Sequence, residues 1–366
     1  MDTFIKGMDV STLLEEEACG ARFFDQGKEG DLLEILKRYG TNSVRLRLWN
    51  DPYDENGTPY GAGTNDLAKT ILLAKRAKAM GMGVLLDYHY SDFWADPGKQ
   101  TVPKAWQGYS VEELEQAVYD FTKETLEEMV RQNAAPTMVQ VGNEITNGLL
   151  WPTGKKPNFD EIARYVSAGI RAVKEVIQVP IMIHLDNGGN NEMYREWFDN
   201  YVKRGEDFDI IGMSYYPFWH GTLDQLSYNM KDMAKRYQKK IVIAEVSMGF
   251  TMEDYAEYEK LTSEQRQGMA TKPEMVEKLE YPMTKQGQSD FMQDVMERIQ
   301  DVDGGMGFYY WEPGWIPVPG CQWATRQALE YTKETDRVGG NEWANQALFD
   351  YDGNALPALE TIRKFS

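Results

Sequence analysis

Ser43-Val-Arg-Leu-Arg-Leu-Trp49, DLAKTILLAKRAKAM from Asp66 to Met80, and Gly83-Val-Leu-Leu-Asp-Tyr-His89 follow one another along the chain. The first and last are short apolar runs ending in polar or aromatic residues, as expected of strands covered on both faces. Between them, apolar residues recur at the helical period over Asn65–Met80, and Gly81 closes the segment as a helix C-terminus is commonly closed. Strand, helix, strand in so short a span is a parallel crossover unit.

The unit repeats outward in both directions. Eight strands are predicted: Phe4–Val10, Ser43–Trp49, Gly83–His89, Met138–Glu144, Ile181–Asp186, Phe208–Tyr216, Lys240–Ser247 and Gly305–Trp311. Helical patterns cover Val111–Gln132, Phe159–Ile177, Leu223–Tyr237, Gly287–Ile299 and Pro357–Lys364. Eight alternations imply an α/β chain closed into a single (β/α)8 TIM barrel. A doubly wound open sheet usually carries a Gly-rich phosphate turn after its first strand, and Asp9-Val10-Ser11-Thr12 is not one. No Ser/Gly linker or charge run marks a boundary, so residues 1–366 are expected to form one catalytic domain, with a long strand 7–8 loop at about 248–286.

Composition narrows the partners. A net charge of −19 repels phosphate backbones and disfavours nucleic acid, while a neutral ligand is tolerated. Two cysteines, Cys19 and Cys321, make no disulfide framework. With three histidines and no CxxC, a structural zinc site is not expected, and no cofactor or metal is expected at all. No apolar run is long enough to span a membrane. The N-terminal Met-Asp-Thr-Phe-Ile-Lys has no apolar signal region, which predicts a cytoplasmic protein as written, or a secreted one if a leader has been removed. A monomer is the default expectation.

In such barrels the chemistry sits where strands end. Those ends carry Asp9, Arg45 and Arg47, Asp87 to Asp92, Asn143-Glu144, His184 to Asn187, Ser214 to Tyr216, Glu245, and Trp311-Glu312. A purely structural barrel does not need a ring so rich in ionisable groups. Glu144 and Glu245 end strands that face each other across the mouth, so their carboxyls can converge. A retaining glycosidase needs two carboxyls about 5–5.5 Å apart, one as nucleophile and one as acid/base. The acid needs a raised pKa, from burial or from its partner carboxylate. The nucleophile must stay ionised, and Arg45 is the kind of group that keeps it so. Asn143 is suited to hydrogen-bond a sugar 2-OH.

With Asn143-Glu144 on strand 4 and Glu245 on strand 7, the pattern resembles clan A of the glycoside hydrolases. The neighbouring motifs resemble glycoside hydrolase family 53, the arabinogalactan endo-β-1,4-galactanases. They are Lys6-Gly-Met-Asp-Val-Ser11, Val44-Arg-Leu-Arg-Leu-Trp49, Asp87-Tyr-His-Tyr-Ser-Asp-Phe-Trp-Ala-Asp-Pro97, Gly148-Leu-Leu-Trp-Pro152, Ile183-His-Leu-Asp-Asn-Gly188, Ser214-Tyr-Tyr-Pro-Phe218 and Tyr309-Tyr-Trp-Glu-Pro-Gly-Trp315. The resemblance implies endo-hydrolysis of β-1,4-galactosidic bonds in type I arabinogalactan, or in galacto-oligosaccharides derived from it, with anomeric retention. It implies Glu144 as acid/base and Glu245 as nucleophile. It implies a site lined by Arg45, His89, Asp92, Asn143, Asp186, Tyr216 and Trp311, with Trp94 and Trp315 stacking on galactosyl rings. Two departures stand out. Val246 replaces the usual threonine after the nucleophile, which predicts an altered subsite contact. The loop Thr251–Lys285 lacks the spaced Asp, His and Asn ligands by which some bacterial members bind calcium, so no calcium site of that design is expected.

Other readings remain open on the residues alone. Another clan A endo-glycanase, such as a mannanase or cellulase, would carry the same two glutamates. Acidic ends on strands 3, 4 and 5 also suit a metal-dependent enolase-type lyase, although no capping domain precedes the barrel and Glu245 would have no role. A non-catalytic carbohydrate-binding barrel would not need both carboxylates. His89 reads as a partner of a sugar or a carboxylate rather than of a metal. His220 reads as surface or subsite rim, Trp343 as packing or a loop-borne aromatic at the rim, and Glu312 equally as structural or as a subsite contact.

Overall fold

The computed structural model describes residues 3–255, 271, 273–337, 339–341 and 343–366. Eight parallel strands close into one barrel: β1 Ile5–Asp9, β2 Ser43–Leu48, β3 Gly83–Tyr88, β4 Met138–Val141, β5 Ile181–Leu185, β6 Ile210–Tyr215, β7 Lys240–Val246 and β8 Gly305–Trp311. Each strand pairs with its sequence neighbours, and β8 closes on β1 with Asp9 opposite Trp311. All eight were predicted. Several end earlier than expected because the chain turns sharply at the rim, as at Gly142, whose φ is +84°.

Helices follow every strand on the outside. Ser110 and Glu113 form a reciprocal capping box at the start of Val111–Arg131, and Asp66 caps Leu67–Ala79 through the Lys69 amide. Two helices of this ring, Leu32–Arg38 and Asn191–Tyr201, are absent from the sequence expectations. So are helix Leu13–Ala18 and the small hairpin Phe23–Asp25 with Lys28–Gly30 in the loop after β1. Of the long β7–β8 connection, residues 256–270 and 272 lie outside the described residues, and with them nearly half of the stretch bearing on calcium. Among the described residues, no helix is long and apolar enough to cross a membrane.

Strand alternation splits the core in two. Outward residues such as Leu46, Leu86 and Ile243 pack against the helices in the large core. Inward residues Leu85, Met138, Met182, Ile210, Val242, Ala244 and Tyr309 form a separate plug inside the barrel. One inward step further along the strands, the lumen turns polar: Arg45, Asp87, Gln140, His184 and Ser214 are all buried there. Glu245 joins this layer through an irregularity. Met213 pairs with Ile243 but Ser214 pairs with Glu245, so Ala244 is the extra residue of a bulge. Strict alternation after inward Ala244 would have turned Glu245 outward.

Candidate active site

Arg45 organises the polar layer. It is wholly buried, with Nη1 2.8 Å from Asp9 Oδ2, and Nη2 2.8 Å from Asp87 Oδ2 and 3.0 Å from Glu245 Oε1. Nη2 also donates to Asn143 Oδ1 at 2.8 Å, and Nε donates to Gln140 Oε1 at 3.1 Å. Burial alone would lower its pKa, but Asp87, Glu245 and Asp9 outweigh burial and keep it cationic.

Glu245 lies against this cation. Its other oxygen accepts from Tyr216 Oη at 2.7 Å. Glu144 leaves β4 in a left-handed conformation, φ +46° and ψ +48°, a strained geometry for a residue with a Cβ. That turn swings its carboxyl over the mouth. One oxygen of Glu144 and one of Glu245 lie within 4.8 Å of each other and of a His184 ring nitrogen. Three such donors can in principle hold a metal, but the guanidinium 3.0 Å from Glu245 opposes a cation there.

The two carboxyls differ in what faces them. Burial pushes both upward. Glu144 rises well above the usual range because Glu245 and Asp186 add to its burial, and only the Ser214 hydroxyl works against them. For Glu245 burial is opposed by Arg45 and by the Tyr216 hydrogen bond. In this coupled pair Glu245 ionises first and Glu144 keeps the proton.

His89 supports the layer from β3. Its Nδ1 accepts from Trp49 Nε1 at 3.1 Å and from the Ala95 amide at 3.2 Å. Two donors on Nδ1 fix the proton on Nε2, which donates to Asp87 Oδ2 at 3.0 Å. His89 is therefore a carboxylate partner with both nitrogens committed. Asn143 commits Oδ1 to Arg45 and one amide hydrogen to Ala95 O, 2.9 Å away.

The cleft above these groups is lined by His89, Trp94, Asn143, Glu144, Asp186, Tyr216, Glu245 and Trp311 from the predicted set. Arg45 sits directly behind. Two predicted residues lie elsewhere. Asp92 turns away and accepts from the Asp51 and Lys104 amides at 3.1 and 2.6 Å, so it fastens the β3 loop. Trp315 is fully buried behind Trp94 and Trp323, its ring parallel to Trp323 at 5.7 Å, and offers no face to a sugar. Trp94 lines the cleft but is only 6% exposed, with Trp323 stacked on it at 4.4 Å and the Arg47 guanidinium over its ring at 4.7 Å, so little of its face is open.

The aromatics available to a ligand are others: Trp219, 45% exposed, with Trp323 and Trp343 half-buried beside it. Trp343 is thus a cleft residue and not only packing. His220 is buried and lines the cleft, with its pKa lowered to about 4 by burial. Glu312 is structural: it meets Arg47 Nη2 at 2.6 Å and accepts from Thr12 Oγ1 at 2.5 Å. Val246 faces the outer core, so the missing hydroxyl removes no contact from the cleft. The sequence places His184 and Ser214 among the strand ends without suggesting a role for either, and Gln140 stands outside the expected site. Gln140 had a visible signal, an amide at an inward position of an otherwise apolar strand.

The family model of glycosyl hydrolase family 53 matches residues 5–362. The chain is 40% identical to the endo-beta-1,4-galactanase of Bacillus subtilis (strain 168), over 98% of this chain and 85% of that protein. A solved GH53 catalytic domain from Ignisphaera aggregans is 41% identical, covers 98% of this chain and 95% of its own, and superposes with a TM-score of 0.89. One of two solved fungal beta-1,4-galactanases is 31% identical, with 98% of both chains covered and a TM-score of 0.79.

Proposed function

The chain belongs to glycosyl hydrolase family 53, and from that premise we propose that it is an endo-acting, retaining β-1,4-galactanase with Glu245 as nucleophile and Glu144 as acid/base. The substrate is the β-1,4-galactan of type I arabinogalactan or oligosaccharides derived from it, in keeping with the galactanases it resembles. The observation that carries the mechanism is the asymmetric carboxyl pair. Oxygens within 4.8 Å match the short spacing of a double displacement rather than the wider gap that holds a water.

In the first step a Glu245 oxygen bonds to C1, the glycosidic bond breaks, and the leaving oxygen takes the Glu144 proton. In the second, water gives a proton to Glu144 and its oxygen displaces Glu245 from C1. Arg45 and Tyr216 stabilise the carboxylate that attacks and later departs. Trp219, Trp323 and Trp343 offer indole faces to the C–H faces of galactosyl rings. Asp186 and the remaining amide hydrogen of Asn143 are placed for sugar hydroxyls.

The deciding experiment follows product anomers by NMR on linear β-1,4-galactan, with β-1,4-mannan and cellulose as controls. The β-anomer should appear first, on galactan alone. Initial α-anomer would remove the nucleophile role of Glu245. Cleavage of mannan instead of galactan would remove the substrate and leave the carboxyl pair standing.

A further inference from the structure

An acid catalyst works only if its proton is on the oxygen that meets the leaving group. Glu144 Oε1 lies 2.6 Å from Ser214 Oγ, and Ser214 Oγ lies 2.8 Å from His184 Nε2. Both side chains are wholly buried, so bulk water does not compete for their hydrogens. Glu144 Oε2 has no partner among the described residues, yet it is not sealed off, and it opens on the cleft.

The serine hydroxyl has one hydrogen, given either to Glu144 or to His184. Gln140 favours the first choice. Its Oε1 accepts from Arg45 Nε, which fixes the amide, and its Nε2 gives one hydrogen to Asp87 Oδ1 at 2.7 Å; the other faces His184 Nδ1 at 3.0 Å, with Gly142 O at 3.1 Å and Asn143 Oδ1 at 3.2 Å slightly further off. With Nδ1 accepting, His184 carries its hydrogen on Nε2 and donates to Ser214, and Ser214 donates to Glu144. The ring stays neutral because burial, with Arg45 beside it, holds its pKa well below the usual value. The opposite order would send Nδ1–H to Asn143 Oδ1, 3.0 Å away, and turn Ser214 towards His184. The Glu144 proton would then sit on Oε1, hidden from substrate.

We propose that His184 and Ser214 are positioning residues: they keep a donor on Glu144 Oε1 throughout the cycle and so hold the acid's proton on Oε2, facing the leaving oxygen. The inference rests on Glu144 being the acid/base. Once Glu144 has released its proton it only accepts, so the same donor serves the carboxylate in the second step. The other groups facing Glu144 are Glu245 from β7, Asp186 after β5, Asp96 in the β3 loop, Tyr216 after β6 and the Tyr194 phenol. None of them donates to Oε1.

The test uses two aryl β-galactobiosides, one with a dinitrophenyl and one with a phenyl leaving group. Departure of dinitrophenolate needs no proton. Ser214→Ala should lower kcat/KM on the phenyl substrate by on the order of tenfold or more, and leave the dinitrophenyl substrate nearly unchanged. The basic limb of its pH profile should move up, because the carboxylate has lost a donor. Ser214→Thr should restore both, and His184→Gln should reproduce the leaving-group selectivity. Equal slowing of both substrates, or a basic limb that stays or falls, would reduce Ser214 to packing and overturn the proposal. Glu144→Ala on the same pair separates the two readings. If it shows no leaving-group selectivity, the acid/base assignment itself fails. If it does and Ser214→Ala does not, only the relay fails.

Discussion

Two layers of the barrel lumen are built by the same strands two residues apart. Leu85 gives way to Asp87, Met138 to Gln140, Met182 to His184. Both layers are buried. In the lower one burial is favourable in itself, and the side chains need only fit. In the upper one burial costs free energy for every charge, and it persists only as a closed set of contacts. Around the guanidiniums of Arg45 and Arg47 lie the carboxyls of Asp9, Asp87, Glu245 and Glu312, with Glu144 facing Glu245. Two cations do not match five carboxylates, so some carboxyls retain protons. Burial pushes Glu312 up to about 7 against the pull of Arg47, and among the described residues no cation is paired with Glu144. The proton the chemistry needs is therefore a consequence of how the upper layer is charged.

The contrast is broken most severely at its reactive end. Glu245→Ala should abolish turnover, with a loss on the order of 10⁶-fold as for other nucleophile deletions. Added azide should rescue an activated substrate as the α-galactosyl azide, because the small anion attacks from the vacated side. A β-azide product would instead assign Glu245 the acid/base role.

Next come matched changes in the two layers. Arg45→Met strands Asp87 and Glu245 without their cation, leaves Asp9 with Arg47 alone, and should destabilise the fold by about 3–5 kcal/mol. It should also cut turnover of the folded fraction, since Glu245 then holds its proton more tightly. Met182→Ala, one layer down, should cost about 2–5 kcal/mol through its cavity but spare turnover per folded molecule. Denaturant unfolding with active-site-normalised rates separates the two. Equal losses of turnover would mean that the lower layer is not merely a support.

A smaller effect reads the proton itself. Glu144 has a folded pKa raised above its unfolded one by burial, Glu245 and Asp186. Its contribution to stability is complete below the unfolded value and is lost as pH rises through the folded value. Glu144→Gln keeps the shape and removes the titration. The parent should lose stability relative to this variant from mildly acidic to alkaline pH, as thermal melts across that range would show. Parallel melting curves would mean that Glu144 is ionised throughout.

How much of this was legible follows from the same physics. Doubly covered strands are long apolar runs, and all eight could be read. The short helices Leu32–Arg38 and Asn191–Tyr201 could not, being too brief or too polar and aromatic for a clear period. Glu144 and Glu245 were visible as strand ends, but the bulge at Ala244 that turns Glu245 inward depends on pairing with β6. Asp92 and Trp315 shared every sequence feature of their neighbours. Only tertiary contacts, backbone amides in one case and stacked indoles in the other, take them out of the cleft.

The rim extends the comparison into solvent, where the smallest effect is expected. Trp219 is 45% exposed and meets Tyr216 and Trp343 in T-shaped contacts at 6.0 Å each, so its ring is held while much of it stays open to solvent. It takes no part in the ion network below. Loss of a stacking face removes binding that is nearly equal in ground and transition states, and such binding appears in KM rather than in kcat. Trp219→Ala should therefore raise KM on galactan severalfold, as loss of about 1 kcal/mol of aromatic contact would, with kcat unchanged. Stability should stay within about 0.5 kcal/mol because little buried area is lost. A short substrate that does not reach the rim should not register the change. A fall in kcat on that short substrate would mean that Trp219 holds Tyr216, and through it Glu245, and the rim would then belong to the upper layer.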